Sequence, residues 1–293
     1  MTPAKLNVFF AFFSYAGNGG VSCEHPSLRS WFARTLLQCK EDARVENIMD
    51  KDFSDTPITM TRNDAVWKAQ QAGADLLVMV DSDQYPDWEL IQGDHQAKEW
   101  WPTTFDFIYQ RFSRGLLTAV GAPYCGPPPC ENVYVFRFAN WQSDNPNQDL
   151  RVEGFSREEA AQRSGFEAVA ALPTGLIAYD MRIFDLLDPP YFYYEWSDKY
   201  QRQKASTEDV TNTRDIVLHC LEAKGYNPVF VNWDSWAGHW KPKCVGKPRP
   251  LSIHQIGENY RAAVLRNQDL KNDRLIILGE EGIPVPSLGA NGR

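Results

Sequence analysis

The chain has 293 residues and a mass of 33.5 kDa, with 43% hydrophobic, 23% charged and 13% aromatic residues. That length buries a core without disulfide help, and ten tryptophans exclude a collagen-like, low-complexity or disordered chain. Thirty Lys+Arg against 38 Asp+Glu leave a net charge of −8, which argues against a charge-driven grip on nucleic acid or anionic lipid over the whole surface.

Lys5 precedes the apolar run 6–13. One lysine is a poor basic region for a signal peptide, and Val and Phe suit a core strand, so the chain is expected to be cytoplasmic. No apolar run reaches the ~18 residues of a membrane span. A Gly-rich loop follows at 16–20. Leu28, Trp31, Phe32, Leu36 and Cys39 then recur at helical spacing and predict a helix over 26–40. A short strand over 45–49, a polar loop and a helix over 61–72 come next. Gly73 stops that helix before 75–80, whose five consecutive apolar residues predict a strand covered on both faces. Strand, helix, strand, helix, strand is the order of an α/β nucleotide-binding half.

Farther on, 103–114 reads as helix, 116–121 as strand, and 132–138 as strand after a loop in which Cys125 and Cys130 bracket Gly-Pro-Pro-Pro. Residues 139–154 read as loop, and 172–179, 191–194 and 228–232 as strands. Residues 207–224 predict a helix with Thr207 as cap, acids in its first turn and Gly225 at its end. A last helix is expected over 256–266. The six cysteines (23, 39, 125, 130, 220 and 244) form no CxxC pair, which favours free thiols, with a local Cys125–Cys130 disulfide as the alternative.

Asp81-Ser82-Asp83 follows the buried strand directly. Residues two apart in an extended segment point the same way, so both carboxylates can face one spot at the strand's carboxyl edge, where open α/β sheets bind ligands. Converging carboxylates repel unless a cation sits between them, and a hard divalent ion also takes phosphate oxygens. A bare DxD also ends strands for no chemical reason, and Asp50-Lys51-Asp52 repeats the pattern in a polar stretch.

Several segments occur in a fixed order around this motif: Thr61-Arg62-Asn63-Asp64, Ala72-Gly73-Ala74-Asp75 before the strand, Pro173-Thr174-Gly175, Thr207-Glu208-Asp209, and Gly238-His239-Trp240-Lys241. From 6 to 243 they resemble the GT-A glycosyltransferases, especially those related to family 2 and to the metal-dependent galactosyltransferases. The resemblance implies a Rossmann-like α/β fold with a mostly parallel central sheet and helices on both faces. Its catalytic domain would span 1–243, with a nucleotide-sugar half of about 1–121 and an acceptor half of about 122–243, before an extension over 244–293.

It also implies a role for each matching residue. Asp83 and His239 would hold the metal, Mn2+ or Mg2+, with Asp81 on the metal or the ribose. Ser14 and Tyr15 would meet the nucleobase, Arg62 the nucleotide, and Thr174 and Gly175 the donor sugar. Lys241 and Lys243 would neutralise the diphosphate. Asp209 would be the base, with Glu208 orienting the acceptor or substituting as base. The tryptophans at 196, 233, 236 and 240 would gather on the acceptor side, though they also suit a core. The expected activity is transfer from a nucleotide-diphosphate sugar, UDP-linked or else GDP-linked, with inversion. The alternatives are a retaining enzyme, a sugar-phosphate nucleotidyltransferase and a non-catalytic carbohydrate-binding protein. The acceptor stays open between a glycan, a protein, a small molecule and an anion such as hydroxymethylated DNA. The last would suit the basic residues Lys199, Arg202, Lys204, Lys247 and Arg249 beside the motifs.

Overall fold

β1 (Leu6–Phe13) offers almost nothing but apolar side chains and is covered on both faces, the environment such a strand requires. In the computed structural model, residues 5–14, 26–54, 57–126, 131–139, 152–196, 200–201 and 204–240 are described, with strand pieces at 244–245, 263–264, 276–278 and 284–285. After β1 come α1 (Pro26–Glu41), β2 (Val45–Phe53), α2 (Ile58–Gln71) and β3 (Leu76–Asp81). β1 pairs in parallel with β2 on one side and β3 on the other.

β4 (Gln84–Tyr85), α3 (Trp88–Ile91), α4 (Trp100–Phe112) and β5 (Ala119–Gly121) follow, then β6 (Phe136–Phe138), β7 (Val152–Gly154), α5 (Arg157–Ala161), β8 (Phe166–Ala168) and β9 (Leu176–Asp180). A 3-10 turn at Met181–Leu186 leads to β10 (Glu195–Trp196), β11 (Lys204–Ser206), α6 (Glu208–Lys224), β12 (Val229–Asn232), β13 (Gly238–Trp240) and β14 (Cys244–Val245). The central sheet has seven strands in the order β2-β1-β3-β9-β5-β12-β8. Pairing directions set β1, β2, β3, β5 and β12 one way and β8 and β9 the other. This is a mostly parallel, Rossmann-like α/β sheet.

Two cores cover its faces. Phe9, Ala11 and Phe13 of β1 with Leu77 and Met79 of β3 pack against α2 and α6. Leu6, Val8, Phe10 and Phe12 with Leu76, Val78 and Val80 pack against Trp31 and Phe32 of α1 and Trp100, Trp101 and Phe105 of α4. Residues alternate between the cores because successive strand side chains leave opposite faces. Each such side chain, fully buried, contributes roughly 1.5–3 kcal/mol.

The helices and strands lie within a few residues of expectation, with four differences. Asp50-Lys51-Asp52 belongs to strand β2, not to a loop; β2 is an edge strand with an exposed polar face, so its carboxylates need no buried partner. Residues 191–194 are not a strand, because Asn63 and α6 take their backbone hydrogen bonds instead. Val152–Gly154, expected as loop, pairs with β6. The helix expected over 256–266 falls outside the described residues except at Ala263–Val264, which pair as a strand. Among the described residues Cys39, Cys125 and Cys220 are free thiols, and no helix is long and apolar enough to cross a membrane.

Candidate active site

The carboxyl end of β3 is held by its neighbours on both sides. Asp81 donates its amide hydrogen to the Gly175 carbonyl and Ser82 to the Phe13 carbonyl, each at 2.8 Å. Ser14, just past β1, bonds through its amide to the Phe53 carbonyl at 2.9 Å, so it sits at the same sheet edge. Tyr15, Lys241 and Lys243 lie outside the described residues.

Chain reversal after Asp83 places β4 antiparallel to β13, with His239 opposite Gln84 and Gly238 opposite Tyr85. The Trp240 amide donates to the Asp83 carbonyl at 2.8 Å. Asp83 and His239 are thereby brought together, Oδ2 to Nε2 at 3.6 Å. His239 is buried, and its Nδ1 lies 2.8 Å from the Cys125 carbonyl oxygen. A carbonyl only accepts, so Nδ1 carries the hydrogen, and in the neutral ring Nε2 turns a lone pair toward the Asp83 carboxylate. Backbone carbonyls fix metal-binding histidines in this way.

Two facing acceptors suit a shared cation: neighbouring donors each about 2.1 Å from an octahedral ion lie roughly 3.0 Å apart, so the 3.6 Å pair would need to close only slightly around one. Among the described residues no group of three or more His, Cys, Asp or Glu side chains forms a ready-made metal cage. One carboxylate and one imidazole fit a divalent ion that takes both oxygen and nitrogen and completes its shell from phosphate and water, a donor set that suits Mn2+ better than Mg2+.

Arg62, expected from the sequence to meet the nucleotide, is instead 3% exposed and turned inward. Its Nη2 donates to both Asp81 oxygens at 3.0 Å and its Nη1 to the Thr174 carbonyl at 3.2 Å. Nε stands 3.8 Å from Glu208 Oε1, and the guanidinium lies 4.9 Å from the Phe13 ring centre. Burial works against the charge, but Asp81, Glu208 and Asp209 hold its pKa above the ordinary arginine value. Arg62 therefore ties the DSD turn to the start of α6. Burial pushes the Asp81 carboxyl up to about 6 against the pull of Arg62, and Asp83 adds to the rise. Glu208, also buried, is raised by burial and then by Asp209.

Thr207 makes no side-chain cap to α6; its hydroxyl donates to Asp209 Oδ1 instead, in a short contact. That same oxygen accepts from the Val210 amide at 2.8 Å. Asp209 thus serves the helix start with one oxygen, while Oδ2 has no hydrogen-bond partner among the described residues. The first turn also repays it electrostatically, since a helix N-terminus favours an anion.

Gly175 is needed for a different approach than the one expected. A Cβ there would stand 2.7 Å from Tyr124 Oη and 2.8 Å from Gln84 Nε2, so protein side chains close over its backbone. Gln84 is fully buried, and among the described residues neither its amide atoms nor Thr174 Oγ1 has a hydrogen-bond partner. Tyr124 Oη accepts from the Gly175 amide at 3.3 Å, and burial, then Asp81 and Asp209, hold its phenol well above the ordinary range. Gln84 and Tyr124 were missed from the sequence: Gln84 follows the DSD directly, which is a usable signal, whereas nothing local marks Tyr124. Asn63 clamps residues 191–192, accepting from both amides at 2.8 and 3.2 Å and donating to the Phe192 carbonyl at 2.9 Å.

Of the four tryptophans expected on the acceptor side, Trp233 and Trp236 are core, 1% and 2% exposed. Trp240 is half-buried, and Trp196 alone of the four is exposed. A separate cavity of about 390 Å3, with Tyr191, Tyr193, Asp215 and His219 in its wall, opens farther along α6 and holds none of the expected site residues.

No family model and no curated protein matches the chain. Among solved structures, A197 from STIV is similar at a TM-score of 0.45 and 14% identity, over 84% of this chain and 96% of that one. A chain described as a glucose-1-phosphate thymidylyltransferase from Bacillus anthracis, in complex with a sucrose, is similar at a TM-score of 0.39 and 10% identity, over 79% and 89%. Both TM-scores lie below 0.5, and the architecture stands on its own strand order and register.

Proposed function

We propose that the chain is a glycosyltransferase that moves a sugar from a nucleotide-diphosphate donor, UDP-linked by preference, to an acceptor hydroxyl with inversion. The observation that carries this reading is the Asp83–His239 pair, two metal-type donors 3.6 Å apart at the carboxyl edge of β3, tied through Asp81 and Arg62 to the acidic start of α6. A non-catalytic carbohydrate-binding role does not need that combination in one place.

Asp83 and His239 would hold Mn2+ or Mg2+, with Asp81 beside them. Such an ion, when bound, supplies charge neutralisation for the departing nucleoside diphosphate. Arg62 keeps Asp81 and Glu208 in position from behind. Asp209, its Oδ1 held by the Thr207 hydroxyl and the Val210 amide, would offer Oδ2 to the acceptor. The acceptor oxygen attacks the anomeric carbon as Asp209 takes its proton, and the bond to the diphosphate oxygen breaks with its electron pair. Glu208, buried against Arg62, supports that geometry rather than touching the acceptor.

The test is a hydrolysis screen of UDP-, GDP- and TDP-sugars with and without manganese. Metal-dependent release of nucleoside diphosphate supports the reading. Release of pyrophosphate from a sugar phosphate and a nucleoside triphosphate would assign a nucleotidyltransferase instead. Binding of glycans with no donor turnover would leave a carbohydrate-binding protein. Asp209→Asn should keep donor affinity while transfer falls roughly 10²–10⁴-fold.

A further inference from the structure

Farther along α6 from its acidic start lies the cavity of about 390 Å3, a size within the range of small-molecule sites. α6 supplies Asp215 and His219, four residues apart and so on one face of the helix. The stretch before β10 supplies Asp188, Tyr191 and Tyr193. Asp215 and His219 follow Asp209 by 215 − 209 = 6 and 219 − 209 = 10 positions, about 9 and 15 Å along the helix axis. Between the two ends the chain crosses α6: Thr211 Oγ1 donates to the Tyr193 carbonyl at 2.6 Å and Asn212 Nδ2 to the Tyr191 carbonyl at 2.9 Å. Asp83, His239 and Asp209 take no part in the cavity wall.

That wall is fixed by contacts on its outer side. Asn63 accepts from the Tyr191 and Phe192 amides and donates to the Phe192 carbonyl, and the Phe192 side chain is buried in the core. The Tyr191 ring meets Phe184 edge-on, ring centres 5.1 Å apart. The Tyr193 hydroxyl donates to Asp215 Oδ2 at 2.6 Å, and Arg214 Nε and Nη2 donate to Asp215 Oδ1 at 3.2 and 3.0 Å. Asp215 is thus a braced part of the frame. The Asp188 carboxylate, the His219 ring and the Tyr191 hydroxyl, by contrast, have no hydrogen-bond or ion-pair partner among the described residues. Asp188 and His219 are both exposed.

We propose that this cavity is a second binding site, separate from the Asp83–His239 end, and that it takes a neutral sugar ring through Asp188, His219 and Tyr191. The three groups offer both kinds of hydrogen bond: the carboxylate accepts, while the imidazole N–H and the phenol O–H donate. Sugar hydroxyls do both and match that set. An ammonium would leave the N–H and O–H without an acceptor, and an anion would meet the two carboxylates Asp188 and Asp215. Two tyrosine rings, with Leu187 and Pro190 in the same wall, supply flat apolar surface for the C–H face of a pyranose. A wall already ordered binds without the cost of being fixed. None of these residues belongs to the Asp83–His239 site, so a sugar held here does not depend on transferase chemistry and would anchor the protein to a glycan while that end stays open.

The experiment titrates the methyl glycosides of glucose, galactose, mannose and N-acetylglucosamine into the full chain, without donor or metal, and follows them by saturation-transfer NMR. At least one should bind wild type and bind Asp188→Ala and His219→Ala about tenfold or more weakly. Both side chains are exposed, so the urea midpoints of the two variants should match wild type; if one variant unfolds, the other carries the comparison. Binding of none of the four, or binding that the folded variants keep, overturns the site. Tighter binding of spermidine than of any sugar, lost in the same variants, overturns the sugar class. UDP with manganese is titrated in parallel and should bind both variants as it binds wild type. Its loss together with the sugar would join the two ends and overturn a separate site. Sugar binding without UDP–manganese binding fails the transferase reading alone.

Discussion

Replacing Arg62 with methionine should show how much of the site depends on one buried cation. The side chain is 3% exposed, donates to both oxygens of Asp81 and to the Thr174 carbonyl, and lies 3.8 Å from Glu208. Methionine fills similar space, so packing changes little, but two buried carboxylates lose their counter-charge. Breaking a buried ion pair from one side costs about 3–5 kcal/mol. The sign of the pH dependence follows from linkage. Asp81 is already pushed up to about 6 by burial, and Glu208 is raised as well; without Arg62 both folded values rise further above the unfolded ones. The folded variant then keeps protons that the unfolded chain releases, so its stability falls as pH rises, and its deficit against wild type is largest near pH 7. At about 1.4 kcal/mol per retained proton per pH unit, the deficit should shrink by about 1–3 kcal/mol between pH 7 and pH 5. Urea unfolding followed by tryptophan fluorescence at both pH values measures it. The double variant Arg62→Met, Asp81→Asn should lose less than Arg62→Met alone, because the stranded charge is gone. A loss under about 1 kcal/mol at pH 7, or a deficit that does not change with pH, would refute the role of Arg62 as a buried counter-ion.

Asp87 offers a test of the opposite kind. It is 6% exposed, accepts from the Trp100 amide at 2.7 Å, has φ 60°, and is pushed up to about 6 by burial. A folded value above the unfolded one means wild type loses stability as pH climbs from about 4 to about 6. Asparagine keeps the hydrogen bond and tolerates that backbone, so Asp87→Asn should gain about 1–3 kcal/mol on wild type between pH 4 and pH 7 in paired urea titrations. Gly175→Ala should lower thermal stability by about 1–3 kcal/mol through its clash with Tyr124 and Gln84, and Tyr124→Phe added to it should restore part of the loss in a melting curve. In the activity screen, Asp209→Asn that transfers sugar near the wild-type rate would reduce Asp209 to a helix-start residue.

Much of this was legible in the sequence, for physical reasons that also mark where legibility stops. Leu76–Asp81 reads as a buried strand because five consecutive apolar residues leave no solvent face, and all five are fully buried. The end of α6 is legible because Gly225, at φ 76°, takes the left-handed conformation a helix stop requires. Strand direction carries no periodicity, so the antiparallel insertion of β9 between β3 and β5 was invisible. β10 and β11 are too short for alternation to show. At the site, Asp83 and His239 could be paired only through the order of motifs, yet 239 − 83 = 156 positions of chain close to 3.6 Å. Arg62 was misjudged because a long side chain can turn to solvent or inward, and only the carboxylates that await it decide which. Composition likewise cannot separate the exposed Trp196 from Trp233 and Trp236, which fill the core.

The central claim is that Asp83 and His239 bind a divalent cation together with a nucleoside diphosphate, and calorimetric titration of UDP in manganese or in EDTA tests it most directly. Wild type should bind UDP only with the metal present, and Asp83→Asn and His239→Ala should each weaken that binding by at least roughly tenfold while their urea midpoints stay near wild type. Equal UDP affinity in EDTA, or variants that bind as wild type does, would contradict it.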